Sequence, residues 1–256
     1  NHQFVGFNGA QSIRVKDKKN NKIKEIKLDS IVGADGPYSA VAKAAGLGSN
    51  SKCYIGMQAK VRLSMDTKAF ETHFGSNFPN FFGWVVPESE NTARIGVGCF
   101  ENAKQHFYNF LKNRTGSSEV ICWESGLIPL YNPKRAIQKG NVYLIGDAAL
   151  QVKALSGGGI IKGMMAAEEL NNAILNNLDY ETLWRKKMGK DLLLSLKIRN
   201  FLNKLNNKDY DSLINSFNEA ALTSFNREFP KKSLLKVILK NPKLDLFLLS
   251  KIMKVF

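Results

Sequence analysis

The sequence has few of the residues from which metal centres and disulfide frameworks are built. Its three cysteines, none of them in a Cys-x-x-Cys pair, are Cys53, Cys99 and Cys122. Its three histidines, also isolated, are His2, His73 and His106. This usage predicts neither a metal site nor a disulfide scaffold, and it favours reduced, buried thiols.

Long apolar runs are missing as well. No stretch of the sequence approaches the 18 or more apolar residues of a membrane-spanning helix, and no signal peptide is visible. We therefore expect a cytoplasmic protein whose contact with a membrane is peripheral.

Acidic residues are scarce relative to basic ones. The chain carries 37 basic and 22 acidic side chains, a formal charge of +15. Such a surface suits nucleic acid, anionic lipid headgroups or an acidic partner protein. The lysines are spread along the chain and no nucleic-acid-binding motif accompanies them, so nucleic acid is not an expected partner.

Glycine, in contrast, is concentrated in one informative segment. Residues 146–163 read GDAALQVKALSGGGIIKG; they follow an apolar strand at 142–145 and lead into a helix near Ile160. Glycine lets backbone approach a ligand closely, and a helix N-terminus presents unpaired N–H groups with partial positive charge. The segment therefore predicts a cradle for an anionic or polar ligand, in which Asp147 accepts hydrogen bonds from sugar hydroxyls.

A second segment of the same kind lies upstream. Residues 31–41, IVGADGPYSAV, form an apolar strand that breaks at Asp35-Gly36 and continues into a helix, with Gly46 as its stop. One such segment is common in α/β domains. Two of them in this order, separated by a strand-rich insert, are a more specific signal.

These segments resemble the second and third FAD fingerprints of the flavoprotein monooxygenase-like superfamily. The run GDAA-x-QVK followed by GGGI is similar to the geranylgeranyl reductase family in particular, including its archaeal digeranylgeranylglycerophospholipid reductase-like members. Residues 79–87, PNFFGWVVP, and the later Gly96-Val97-Gly98 also match that family's pattern.

The resemblance implies an α/β (α+β) fold. Residues 1–50 and 140–178 would form the C-terminal part of a Rossmann-like FAD-binding domain, 51–139 an inserted antiparallel β-sheet substrate domain, and 179–256 a C-terminal helical region. Superfamily members begin with a Gly-x-Gly-x-x-Gly unit, a motif that this sequence does not contain. We therefore expect the chain to be an N-terminally incomplete form of a flavoenzyme.

The resemblance also implies an activity, in which reduced FAD delivers hydride to C=C bonds of geranylgeranyl chains in membrane lipid precursors. The implied cofactor-binding residues are Asp35, Gly36, Gly146, Asp147, Ala148, Gly158, Gly159 and Ile160. The implied substrate-pocket residues are Phe81, Phe82 and Trp84, and no catalytic residue is assigned. The implied partners are an isoprenoid lipid, a membrane surface and an electron donor, which is ferredoxin, reduced deazaflavin or NAD(P)H.

Several alternative functions and structural roles are also compatible with the sequence. The same flavin motifs occur in monooxygenases and halogenases of the superfamily, and a partial chain could bind lipid or a partner subunit without catalysis. The three aromatic residues could also be ordinary sheet core. Finally, the lysine- and leucine-rich segment Lys231–Phe256 predicts either a helix packed on the flavin domain or a basic surface that docks on anionic lipid.

Overall fold

A computed structural model describes residues 1–48, 52–116 and 119–216. It contains two compact units, one formed by Asn1–Lys52 with Pro129–Leu193 and the other by Cys53–Ile128 with the chain from Leu194 onward. The strands are β1 His2–Phe7, β2 Ser12–Asp17, β3 Ile23–Lys27, β4 Ile31–Gly33, β5 Cys53–Arg62, β6 Glu71–His73, β7 Gly83–Ser89, β8 Thr92–Cys99, β9 Cys122–Pro129, β10 Gln138–Lys139 and β11 Val142–Leu144. The helices are α1 Ala40–Ala44, α2 Ala103–Thr115, α3 Ile160–Leu175, α4 Tyr180–Trp184, α5 Lys190–Leu202 and α6 Asn207–Ser216. This mixed architecture confirms the predicted fold class.

The first unit holds two small sheets. Strands β1, β2 and β3 form an antiparallel meander, while the second sheet has the order β10-β11-β4. In that second sheet β11 and β4 are parallel, with Leu144 paired to Gly33. A Cβ on Gly33 would lie 2.7 Å from Cδ2 of Leu144, so glycine is what lets the leucine pack over this strand.

The second unit is built on a five-stranded sheet of order β6-β7-β8-β5-β9. Helix α2 buries Phe107, Phe110 and Leu111 in a core that also contains sheet residues such as Val85 and Ile95. Buried residues alternate with more exposed ones along much of β5 and β7, as expected for strands with one buried face.

The Gly96-x-Gly98 pattern in β8 has a steric origin. Gly96 pairs with Trp84 across the sheet, and a Cβ on Gly96 would lie 2.3 Å from Cε2 of the Trp84 ring. A Cβ on Gly98 would lie 2.5 Å from Cδ1 of Phe81. The two glycines sit on the same face of the strand, and they leave room there for two aromatic rings.

The sequence predicts a helix over 101–113, where Phe107, Phe110 and Leu111 share one face, and α2 lies two residues further along the chain. It begins after Asn102, which has the left-handed conformation, and it ends at Gly116, whose φ of 67° gives a left-handed C-cap. Both ends are therefore set by residues that tolerate positive φ.

The chain from Tyr180 to Ser216 is almost entirely helical. Helix α4 leads through a π-helical turn at Arg185–Gly189 into α5, and α6 follows. The segment Lys231–Phe256 lies outside the described residues, and the predicted domain boundaries stay a prediction. Among the helices described, none is long and apolar enough to cross a membrane.

Candidate functional site

Two turns that each contain glycine and aspartate, Asp35-Gly36 and Gly146-Asp147, lie side by side in the first unit. We call them the Gly-Asp turns. Each turn follows one of the paired parallel strands, β4 or β11, and the N–H of Ile145 donates to the carbonyl of Gly33 at 3.1 Å. Gly36 and Gly146 have φ values of +84° and +61°. The carboxyl ends of adjacent parallel strands are where open α/β sheets bind ligands, so the topology places both turns in a favourable position.

Asp35 shapes the first turn. Its Oδ2 accepts hydrogen bonds from the N–H groups of Ala40 and Val41 at 2.7 and 3.2 Å. The hydroxyl of Ser39 accepts from the N–H of Ala42 at 2.9 Å. These two side chains together satisfy the N-terminus of α1, as capping residues do.

Asp147 is the carboxylate of the second turn, and its side chain lies against the glycine-rich loop. A Cβ on Gly159 would lie 2.9 Å from Oδ1 of Asp147 and 3.1 Å from Cγ2 of Val152, so glycine is required for this approach. Burial raises the pKa of Asp147. Within 1–48, 52–116 and 119–216, no residue donates a hydrogen bond to this carboxylate, which leaves its lone pairs available to a ligand hydroxyl.

The start of α3 completes this region. The first bond of the helix runs from Gly163 N–H to Gly159 O at 2.8 Å, so the N–H groups of Ile160 and Ile161 have no carbonyl within the helix. The side chains of Ile160, Ile161 and Met164 are 83%, 53% and 68% exposed. Exposed apolar side chains beside polar backbone donors suit a ligand with an apolar ring and polar edges.

A chain of buried hydrogen bonds holds the second turn in place. Gln151 is fully buried; its Oε1 accepts from Gly146 N–H at 2.7 Å and its Nε2 donates to the Tyr180 hydroxyl at 3.1 Å. Tyr180 in turn donates to the carbonyl of Leu144 at 3.1 Å, and burial raises its pKa. Gln151 belongs to the run GDAA-x-QVK, which is recognisable in the sequence, whereas no sequence pattern indicates a role for Tyr180.

Arg135 supports the same turn from another side. Its Nη1 donates to Gly48 O at 2.5 Å and its Nη2 to Ala148 O at 3.5 Å. The side chain is buried, and desolvation lowers its pKa. A buried cation thus ties the 146–149 turn to the loop after α1.

The predicted substrate-pocket residues form an aromatic cluster in the second unit. Phe81 stacks between Tyr54 and Phe82, with ring centroids 4.5 and 4.2 Å apart. Phe81 is buried, whereas Phe82 and Trp84 are partly exposed. Trp84 Nε1 donates to Gln58 Oε1 at 3.0 Å, which fixes its ring.

Arg199 of α5 contributes a buried cation to this cluster. Its guanidinium carbon lies 4.8 Å from the Phe81 ring centroid and 5.7 Å from that of Phe82. Its Nη1 donates to the Phe81 carbonyl at 3.1 Å. No sequence pattern points to Arg199, because 118 positions separate it from Phe81. All of the predicted cofactor residues therefore lie in the first unit, and all three predicted substrate-pocket residues lie in the second.

Several curated proteins, all named digeranylgeranylglycerophospholipid reductase, match the chain over most of its length. Digeranylgeranylglycerophospholipid reductase 2 of Methanothermobacter thermautotrophicus is 30% identical over 241 residues, which are 86% of this chain and 61% of that protein. Reductase 3 of Methanosphaera stadtmanae is 28% identical over 257 residues, 91% of this chain and 64% of that protein. The chain thus spans about three fifths of the length of these relatives. No protein-family model matches it.

Solved structures share the fold. A geranylgeranyl bacteriochlorophyll reductase-like protein of Thermoplasma acidophilum aligns with a TM-score of 0.81 and 22% identity, over 99% of this chain and 68% of that one. The anhydrotetracycline hydroxylase OxyS of Streptomyces rimosus aligns with a TM-score of 0.55 and 16% identity, over 79% of this chain and 45% of that one. The predicted resemblance is confirmed: over most of its length the chain is similar in sequence to proteins named digeranylgeranylglycerophospholipid reductase.

Proposed function

We propose that the protein is an FAD-dependent reductase that saturates C=C bonds of geranylgeranyl chains in membrane lipid precursors. The observation that carries the proposal is the pair of Gly-Asp turns on adjacent parallel strands, with the Asp147 carboxylate beside the glycine-rich loop. The names of the sequence relatives support the substrate class.

The residues of the first unit fit a flavin dinucleotide. Asp147 would accept hydrogen bonds from ribityl hydroxyls, and the backbone at Gly159 and Ile160 would offer N–H groups to the polar edge of the ring. The third predicted donor, the N–H of Gly158, instead donates to the Ser156 hydroxyl at 3.3 Å. The dipole of α3 favours negative charge at this end, and no acidic residue lies in its first turn. The turns at Asp35-Gly36 and Gly146–Ala148 would shape the rest of the cradle.

The aromatic cluster of the second unit would orient the substrate. An isolated alkene offers almost no hydrogen-bonding group, so it must be held by apolar surface in a site from which water is excluded. Phe82 and Trp84 are partly exposed and would contact the isoprenoid chain, while buried Phe81 would support them from behind. A bound flavin supplies the hydride.

We propose two further partners on the same grounds. A lipid substrate brings the protein to a membrane surface, where its formal charge of +15 favours anionic headgroups. The reaction also needs a reductant, for which ferredoxin, reduced deazaflavin and NAD(P)H are the candidates.

A product-mass assay tests the proposal. The protein is incubated with FAD and a digeranylgeranyl lipid in two parallel reactions, one anaerobic with dithionite and one in air with NAD(P)H, and the lipid is analysed by mass spectrometry. We expect gains of two hydrogens per reduced double bond. An oxygen-dependent gain in mass would instead indicate a monooxygenase, and an unchanged lipid with no flavin retained would contradict both.

Substitution of Asp147 by asparagine tests whether its carboxylate serves to bind FAD or to stabilise the fold. The folded pKa of Asp147 lies above its ordinary value of 3.8, so the folded state holds the proton more tightly and stability falls as the pH rises through this range. At neutral pH the buried charge therefore costs stability. We expect Asp147→Asn to raise the Tm of the flavin-free protein but to weaken FAD binding by roughly tenfold, because a charge-assisted hydrogen bond is lost.

Asp29→Asn is the matched control, since Asp29 is an exposed carboxylate of the same unit. We expect it to change neither quantity. Thermal unfolding and the visible absorbance of retained flavin provide the two readouts. If Asp147→Asn lowered the Tm and left FAD binding intact, Asp147 would be a structural residue and not a ligand of the cofactor.

A further inference from the structure

A cavity in the second unit collects hydrogen-bond donors. It has a volume of about 520 Å³ and lies between one face of α2 and the segment from β6 to Phe78. Its lining includes four cationic or titratable side chains: His73, His106, Lys112 and Arg114. Within the described part of the chain no aspartate or glutamate lines it.

The sequence of α2 explains how one face of the helix supplies these donors. His106, Asn109 and Asn113 recur at the spacing of a single helical face, and buried Phe110 lies between them as an apolar floor. Helix α2 itself contains no acidic residue. The cavity is therefore rimmed by amide, imidazole and ammonium groups above an aromatic surface.

Glu71 orients two of these side chains, Arg114 and His73, without occupying all of their nitrogen atoms. Its Oε2 accepts from Arg114 Nε at 2.9 Å and its Oε1 from Arg114 Nη2 at 2.6 Å, while His73 Nε2 lies 2.9 Å from Oε2. The Arg114 guanidinium holds the pKa of Glu71 at about 2, so this carboxylate is ionised at any ordinary pH. The Nη1 of Arg114 and the Nδ1 of His73 are not used by Glu71.

We propose that this cavity is a binding site for a phosphate ester group. A phosphate presents several acceptor oxygens in a tetrahedral arrangement, and donors converging from a helix face and a strand end can meet them from different directions. The volume exceeds that of a bare phosphate and leaves room for a small organic part such as glycerol, whose hydroxyls the asparagine amides would bind.

Histidine NMR provides a direct test, because the chain has only three histidines. His73 and His106 line the cavity, whereas His2 belongs to β1 in the other unit and serves as an internal reference. Titration with sn-glycerol 1-phosphate is expected to shift the ring signals of His73 and His106 and to leave those of His2 unchanged. Equal shifts of all three signals, or none, would overturn the proposal.

Two lysines of α2 form a matched pair of variants. Lys112 lines the cavity, and Lys104 is exposed on the same helix but does not line it. Lys112→Gln is expected to raise the dissociation constant about tenfold, since a charge-assisted hydrogen bond is lost, and Lys104→Gln to leave it unchanged. Equal weakening by both variants would indicate nonspecific attraction of anions to a basic protein and would overturn the assignment.

The source of the ester is resolved by comparing probes. Inorganic phosphate, sn-glycerol 1-phosphate and vesicles containing an anionic phospholipid are titrated separately. Shifts produced by the free ester but not by vesicles identify a soluble ligand, and shifts produced by vesicles identify a lipid headgroup; either supports phosphate binding at this cavity. Inorganic phosphate that binds as tightly as the ester would overturn the assignment of an ester site. None of these measurements requires flavin or turnover, so their failure is distinguishable from failure of the reductase proposal.

Discussion

Replacement of Gly96 by alanine is expected to lower the free energy of unfolding by about 1–3 kcal/mol, the usual cost of overpacking a filled core. The added Cβ would lie 2.3 Å from the Trp84 ring, a separation that real side chains do not reach. The ring must therefore move, and its hydrogen bond to Gln58 restricts that movement. Urea unfolding gives the stability change, and near-ultraviolet circular dichroism reports the displaced indole.

Gly126→Ala is the control for this experiment. Gly126 is also a strand glycine of the same unit, but nothing lies within 4 Å of the position that its Cβ would take. Alanine there is expected to be neutral or slightly stabilising, because it reduces the freedom of the unfolded chain. If both variants lost the same free energy of unfolding, the loss at position 96 would come from replacing a strand glycine in general and not from a clash with the indole.

Removal of the Arg199 side chain is expected to lower the free energy of unfolding more than Gly96→Ala does. Arg199→Ala leaves a cavity among Phe81, Phe82 and neighbouring residues and abolishes the hydrogen bond to the Phe81 carbonyl. Truncation of large buried side chains costs about 3–5 kcal/mol. Part of this cost is offset because a cation, whose pKa burial already lowers, no longer has to be desolvated. We therefore expect a net loss of about 3 kcal/mol in urea unfolding.

Methionine at position 199 tests this explanation. Arg199→Met refills most of the volume without a charge, so it is expected to recover at least half of the lost stability. Lys197→Ala, an exposed change on the same helix, controls for helix propensity and is expected to be nearly neutral. A methionine variant as unstable as the alanine variant would mean that the charge and its hydrogen bonds, and not the filled volume, stabilise the cluster.

Features that depend on neighbouring residues were predictable from the sequence. The strand-turn-helix segments at Ile31–Gly36 and Val142–Ala148 were recognisable because glycine and aspartate end each strand within a few residues. The antiparallel sheet of the second unit, in contrast, was expected from the resemblance of 51–139 to a substrate domain. The start of α2 differed by two residues because a left-handed asparagine at position 102 precedes the helix, and no sequence rule required that conformation there.

Features that depend on distant pairs were not predictable. The Gln151–Tyr180 hydrogen bond joins residues 29 positions apart. The bond from Arg199 spans 118 positions. Similarly, the Gly-x-Gly pattern was visible in the sequence, but its cause depends on a strand register that places Trp84 opposite Gly96.

That register links two positions in evolution. A homologue that replaces the indole at position 84 with a short side chain would have an empty space opposite position 96, and selection would then permit alanine or valine there. Conversely, a chain that keeps tryptophan at the first position is held to glycine at the second. Covariation between these two positions among homologues would therefore record ring size and not catalysis.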